Sequence, residues 1–207
     1  GDDGVTDIDR QFLEFCGHHC DDVVYIHGNR DFLISDSLLN SCGIRLVDHY
    51  MDDAMLVIHG DELCTLDHAY QAFKREVRQP EWINTFLNKP LIERQAIAQE
   101  LRRTSRETQA NRAEAIGDAV DKAVDGLMEN QRASVLIHGH THRPAIHYAK
   151  GNLRAVTSDW THSGLGVVVD SMQSEMIVSL THLSAQGAMI KEQWVRQAGT
   201  PEWNLNS

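Results

Sequence analysis

The sequence predicts a mixed α/β fold of layered β-sheets flanked by helices, with a helical insertion. Three observations predict it. Short β-branched runs alternate with helical patterns through the first half of the chain. Three of those runs end in the same His-Gly pair, at His27-Gly28, His59-Gly60 and His138-Gly139. A long helical stretch at about 68–128 then separates the second His-Gly loop from the third, which is too much chain for a simple crossover.

Each element has a local reason. Asp7 to Cys20 reads as a helix, with Ile8, Phe12, Leu13 and Phe15 at helical spacing. Val23 to Ile26 reads as a strand closed by a turn. Ser35 or Asp36 can cap a helix through Leu38–Ser41, which Gly43 ends. Ile44–Val47, Ala54–Ile58 and Ser134–Ile137 read as strands. The helical block breaks at Pro80 and Pro90, because proline lacks the N–H a helix interior needs. Arg154–Thr157, Gly166–Val169 and Met176–Leu180 read as a closing β-meander. Residues 1–183 are therefore read as one domain with its insertion, and 184–207 as a tail of weak pattern and uncertain order.

Composition narrows the chemistry. The 207 residues are 42% hydrophobic and 24% charged, which is globular rather than disordered. Cys16, Cys20, Cys42 and Cys64 form no CxxC pair, so no disulfide framework is expected. The 12 histidines among many aspartates suit divalent metals, whose ligands are neutral imidazole and carboxylate. Net charge is −11, yet residues 71–112 hold nine basic and five acidic side chains, a local excess of four positive charges. That island points to an anionic ligand or surface; solvated helices carrying i,i+4 pairs would give the same composition. An acidic chain with its bases confined to one segment argues against a nucleic-acid partner.

In α/β sheets, ligands bind in loops at the carboxyl ends of strands. Three His-Gly loops at such ends would bring together Asn29, His59, His140 and His142, each a neutral donor for a divalent metal. If His140-Thr141-His142 is extended, alternation sends both rings to one side.

Extended strings carry a resemblance. Ile26-His27-Gly28-Asn29-Arg30-Asp31-Phe32-Leu33, His59-Gly60-Asp61-Glu62-Leu63-Cys64-Thr65 and Ile137-His138-Gly139-His140-Thr141-His142-Arg143-Pro144 resemble motifs of the calcineurin-like metallophosphoesterases. With Asp67, Tyr70-Gln71-Ala72-Phe73 and Arg75, they resemble in particular the UDP-2,3-diacylglucosamine diphosphatases of lipid A biosynthesis, over residues 1 to about 182. The resemblance implies hydrolysis of a diphosphate by water activated between two Mn2+ ions. It implies that Asn29, His59 and His140 bind one ion and His142 helps bind the other. His140, Asn29 and Arg30 would be catalytic. Asn29, Arg30, Asp67, Ser105, Gln109, Arg112 and His140 would contact UDP-2,3-diacylglucosamine, with Gln109 and Arg112 standing where the family more often has Asn and Lys. His138 and Asp31 would orient the ligands. It also implies a peripheral place on the cytoplasmic face of the bacterial inner membrane, with Trp82, Ile83, Phe86, Leu87, Leu91, Ile92 and Ile97 as an apolar groove for acyl chains. Packing of those residues among the insertion's own helices is the simpler alternative.

One departure stands out. The family's Asp-x-His and Gly-Asp motifs have no convincing counterpart here. Gly1-Asp2-Asp3 has Gly-Asp spacing but is followed directly by a helix. The expectation is an N-terminally truncated member of the family that alone binds metal poorly.

Overall fold

The computed structural model describes residues 1–110, 114–160 and 163–206, with the side chains of 106, 108–110, 114 and 115 outside the description. The elements in chain order are α1 (Asp7–His19), β1 (Val24–Ile26), α2 (Asp36–Ser41), β2 (Arg45–Val47), β3 (Tyr50–Asp52), β4 (Met55–Ile58), α3 (His68–Val77), α4 (Pro80–Leu87), α5 (Leu91–Ala110), α6 (Asp121–Gln131), β5 (Val135–His138), β6 (Ala145–Ala149), β7 (Asn152–Val156), β8 (Ser163–Ser171), β9 (Glu175–Ser184), β10 (Gly187–Gln197) and β11 (Asn204–Asn206). They divide into two compact units, 1–48 with 62–120, and 49–61 with 121–207.

In the first unit β1 and β2 pair in parallel, with Tyr25 opposite Leu46. Leu39, Cys42 and Ile44 are buried, and Leu13, Val23, Tyr25, Ile34 and Leu46 pack against them. α1 starts where Thr6 and Asp9 cap each other reciprocally, satisfying donors that a helix start leaves open. Ser35 caps α2, and Gly43, at φ +77, takes up the left-handed turn beyond its end. The proline breaks fall as predicted: Pro80 opens α4 and α5 begins after Pro90. Of the helical stretch, α3 to α5 group with residues 1–48, and α6 groups with the second unit.

In the second unit a five-stranded sheet has the order β3-β4-β5-β7-β6, parallel at β4-β5-β7 and antiparallel at its two edges. β5 is buried at every position, as expected of a central parallel strand. A four-stranded antiparallel sheet, β11-β10-β9-β8, follows. Val135, Ile137, Ile146, Leu153 and Ala155 of the first sheet share one core with Val178 and Leu180 of the second and with Trp203. Each large aliphatic side chain removed from water there contributes about 1.5–3 kcal/mol.

One expectation needs correction. Arg154–Val156 lies in β7 of the five-stranded sheet, beside β5, and not in the closing meander, which consists of β8 to β10 with β11. Within the tail of uncertain order, β10 pairs with β9 along its length, and Trp203 is 4% exposed. The tail's pattern is weak because the first half of β10 is exposed, so no alternation marks it.

Candidate functional site

In the second unit, β4 and β5 run parallel in register, Ile58 opposite His138, so their His-Gly loops emerge side by side. Gly139 N–H donates to His59 O at 3.0 Å and ties the two loops together. The His59 and His140 rings then meet at 5.0 Å between centroids, with planes 65° apart. Gly60 has φ +103, and a Cβ there would lie 2.7 Å from His138 Nδ1. Only glycine meets both conditions.

His138 lies beneath this turn and is 1% exposed. Arg154 Nη1 lies 3.4 Å from its Nε2, and its Nδ1 lies 3.0 Å from Gly139 O. Arginine only donates, so Nε2 accepts and the ring proton sits on Nδ1, directed at the carbonyl. His138 thus supports the loop that carries His140.

His59 Nδ1 lies 3.0 Å from Asp61 Oδ1, and Asp61 is buried. The pair is within ion-pair distance but misses hydrogen-bond geometry, so among the described residues His59 Nδ1 is a buried nitrogen without a hydrogen-bond partner, and the Thr141 hydroxyl is a buried oxygen without one. The carboxylate contact is electrostatic. Buried polar atoms of this kind are rare in folded proteins.

The His140-Thr141-His142 segment is not extended. His140 has φ +59 and His142 φ +52, and Thr141 N–H bonds back to Gly139 O at 2.7 Å. The expected alternation is replaced by two left-handed residues. Each such conformation at a non-glycine residue costs about 1–3 kcal/mol, and such strain clusters at functional sites. His140 is half-buried and His142 is exposed.

The first unit presents a second cluster. Asn29 and Arg30 are exposed in the turn after β1. Asp31 closes that turn: its Oδ1 accepts from Gly28 N–H at 2.6 Å and its Oδ2 from Tyr25 O–H at 2.6 Å. Burial, followed by the Asp31 carboxylate, pushes the Tyr25 phenol well above its ordinary range. Arg78 Nη2 donates to Gly28 O at 2.8 Å. Asp67 caps α3, accepting from Tyr70 N–H at 3.1 Å. Ser105 is exposed on α5. The Gln109 side chain and all of Arg112 lie outside the described residues.

Of the predicted ligands, then, His59 and His140 are brought together. Among the described residues no three His, Cys, Asp or Glu side chains gather as a metal cluster. Asp2 and Asp3 are otherwise engaged: Asp2 Oδ1 accepts from Ser35 N–H at 2.8 Å, and both Asp3 oxygens accept from Arg94.

Comparison with known proteins follows the same lines. The chain is 41% identical over 152 residues to a protein named UDP-2,3-diacylglucosamine hydrolase of Cellvibrio japonicus, covering 69% of this chain and 63% of that one. It is 36% identical over 172 residues to the one of Chromohalobacter salexigens, covering 77% and 70%. It is 37% identical over 190 residues to the one of Escherichia coli strain SMS-3-5, covering 86% and 79%. The chain belongs to the UDP-2,3-diacylglucosamine hydrolase family. It spans a little under two thirds of the Cellvibrio hydrolase. No family model matches it. A solved structure of a single mutant of Vps29 from Entamoeba histolytica is similar at TM-score 0.40 and 9% identity, covering 99% of this chain and 91% of that one. The place in the hydrolase family does not draw on that likeness.

Sequence reading passed over two partners in this hydrolase-family chain, Arg154 and Arg78. Arg154 reaches His138 only because β7 lies beside β5. Arg78, near the end of α3, is indistinguishable in sequence from a cation favoured at a helix C-terminus. Part of the basic island follows the simpler alternative: Arg103 pairs with Glu100 and Glu107 and Lys89 with Glu93, whereas buried Arg94 pairs with Asp3, far away in sequence. The apolar set also packs partly on itself, with Trp82 stacked on Phe86 at 4.8 Å, while Leu87 and Ile92 stay exposed.

Proposed function

We propose that this chain carries out hydrolysis of the diphosphate bond of UDP-2,3-diacylglucosamine, releasing 2,3-diacylglucosamine 1-phosphate and UMP, in lipid A biosynthesis. One observation carries the reading: 37% identity over 190 residues to the Escherichia coli UDP-2,3-diacylglucosamine hydrolase, spanning 79% of its length.

The proposed cofactor is a pair of Mn2+ ions. The residues of the second unit fit such a role in part. His59 and His140 offer two neighbouring imidazoles, and among the described residues His59 Nδ1 is a buried nitrogen lacking a hydrogen bond. His59 and His140 would hold one ion with Asn29, and His142 would contribute to the other. Bound divalent ions supply polarisation of the phosphoryl oxygens and a lowered pKa for water. This chain's own residues do the rest. His138 and Asp61 hold the imidazoles in place. Arg30 offers a planar, permanently charged fork to the diphosphate. Asp67, Ser105, Gln109 and Arg112 are proposed to contact the substrate.

The substrate carries two acyl chains, and Leu87 and Ile92 are exposed. Those apolar side chains support a peripheral place on the cytoplasmic face of the inner membrane, with apolar contacts to lipid. No helix among the described residues is long and apolar enough to cross a membrane.

The test is UMP release by the full-length protein with Mn2+ present, from UDP-2,3-diacylglucosamine and from soluble UDP-sugars in parallel. Turnover of the acylated substrate alone, abolished by His140→Ala, is the expected result. Equal turnover of the soluble UDP-sugars would replace this reading by a general nucleotide pyrophosphatase, and no turnover of either would remove it.

A further inference from the structure

We infer that Arg78 is a positioning residue: it clamps the Gly28–Asp31 turn and so holds Asn29 and Arg30 in their presented conformation. The catalytic part of this inference rests on the proposed diphosphate hydrolysis; the clamp itself does not.

The turn is tied at both backbone groups of one residue, Gly28. Gly28 N–H donates to Asp31 Oδ1 at 2.6 Å, a bond internal to the turn. Gly28 O, the carbonyl immediately before Asn29, accepts from Arg78 Nη2 at 2.8 Å, a bond that spans 50 residues of sequence. Ile34 N–H donates to Asp31 O at 3.0 Å, and Tyr25 O–H fixes the Asp31 carboxylate from beneath. Asn29 and Arg30 are exposed in the part of the turn between these bonds. A short turn with exposed side chains has little packing of its own, so its conformation depends on such ties.

Arg78 is itself held. Its backbone N–H bonds Lys74 O as α3 ends, and its guanidinium carbon lies 4.4 Å from the centre of the Phe32 ring. Phe32 in turn neighbours Trp82 at 6.4 Å, and Trp82 stacks on Phe86. The guanidinium therefore lies over the Phe32 ring while one of its nitrogens donates to Gly28 O, a combination that the smaller ammonium of lysine reproduces only in part. The aromatic row α4–Phe32 sets where the guanidinium sits, and the guanidinium sets where Gly28 O sits.

The experiment compares wild type, Arg78→Met, Arg78→Lys, Arg30→Ala and the Arg30→Ala/Arg78→Met double variant of the full-length protein. In Arg78→Met, amide hydrogen exchange at residues 28–31 is expected to accelerate roughly tenfold or more, with α1 and β5 unchanged, because a charge-assisted bond is lost locally. Its kcat/KM for UDP-2,3-diacylglucosamine is expected to fall by roughly the same factor. The double variant is expected to be no worse than Arg30→Ala alone, because both losses act through one turn. Arg78→Lys is expected to lie between, and it decides the exchange question should Arg78→Met not fold. Unchanged exchange at 28–31 overturns the clamp. Losses that multiply in the double variant overturn the positioning role, since they would mean that Arg78 acts apart from Arg30. A wild-type protein that releases no UMP removes the hydrolase reading, and the exchange arm still decides the clamp.

Discussion

A β-carbon on Gly60 would lie 2.7 Å from Nδ1 of His138 and 2.9 Å from its Cβ. The turn after β4 is thus built against a buried imidazole of the neighbouring strand. Gly60→Ala would add a left-handed strain to this overlap, for a total cost of at least about 1–3 kcal/mol. Chemical denaturation is expected to record that loss, together with a sharp fall in activity, because His59 precedes the displaced residue. An alanine variant with unaltered stability would mean that His138 yields freely, contrary to its burial.

Tyr25 supplies a pH dependence. Its folded-state pKa is raised above its ordinary value of about 10, chiefly by burial and then by Asp31. Above that ordinary value the unfolded chain gives up the phenol proton while the folded chain keeps it, so stability falls as pH rises. The contribution is fully present below about pH 10 and is lost progressively on the alkaline side. Tyr25→Phe is expected to flatten this alkaline slope while lowering stability at neutral pH, since Asp31 Oδ2 loses its donor. Urea midpoints measured from pH 8 to 11 on both proteins check it, and parallel curves would refute it.

Asp2 and Asp3 are expected to matter for folding and not for metal. Asp2 accepts from the cap of α2, and Asp3 is the carboxylate partner of Arg94, which is 6% exposed. Asp3→Asn weakens a charge-assisted pair and is expected to lower the thermal midpoint. Metal content of the purified protein, read by elemental analysis, is expected to be the same in wild type, Asp2→Asn and Asp3→Asn. A clear drop in bound manganese in either variant would make that aspartate a ligand after all.

The legible parts of this molecule are those governed by neighbours in sequence. Helix α1 follows from its apolar spacing and the Thr6–Asp9 cap, α2 from Ser35, and the breaks at Pro80 and Pro90 from the missing proline N–H. The His-Gly endings of three strands were legible too, and at Gly60 the positive φ and the closeness of His138 require the glycine. The strings around them identify the family.

What the sequence alone determined is this local grammar and the kinship it implies. Only tertiary structure decided which strands became neighbours, since β-pairing is made by chain segments far apart whose hydrogen bonds leave no mark on either sequence. Placing β7 against β5 brought Arg154 to His138, and the end of α3 brought Arg78 to Gly28. The same holds for His140 and His142. Their identities are plain in the sequence, but both are left-handed, and at His140 that backbone is closed by the Thr141 N–H bond to Gly139 O, with Gly139 tied in turn to His59. Alternation describes an unconstrained extended strand, and here closure of the loop outweighs it.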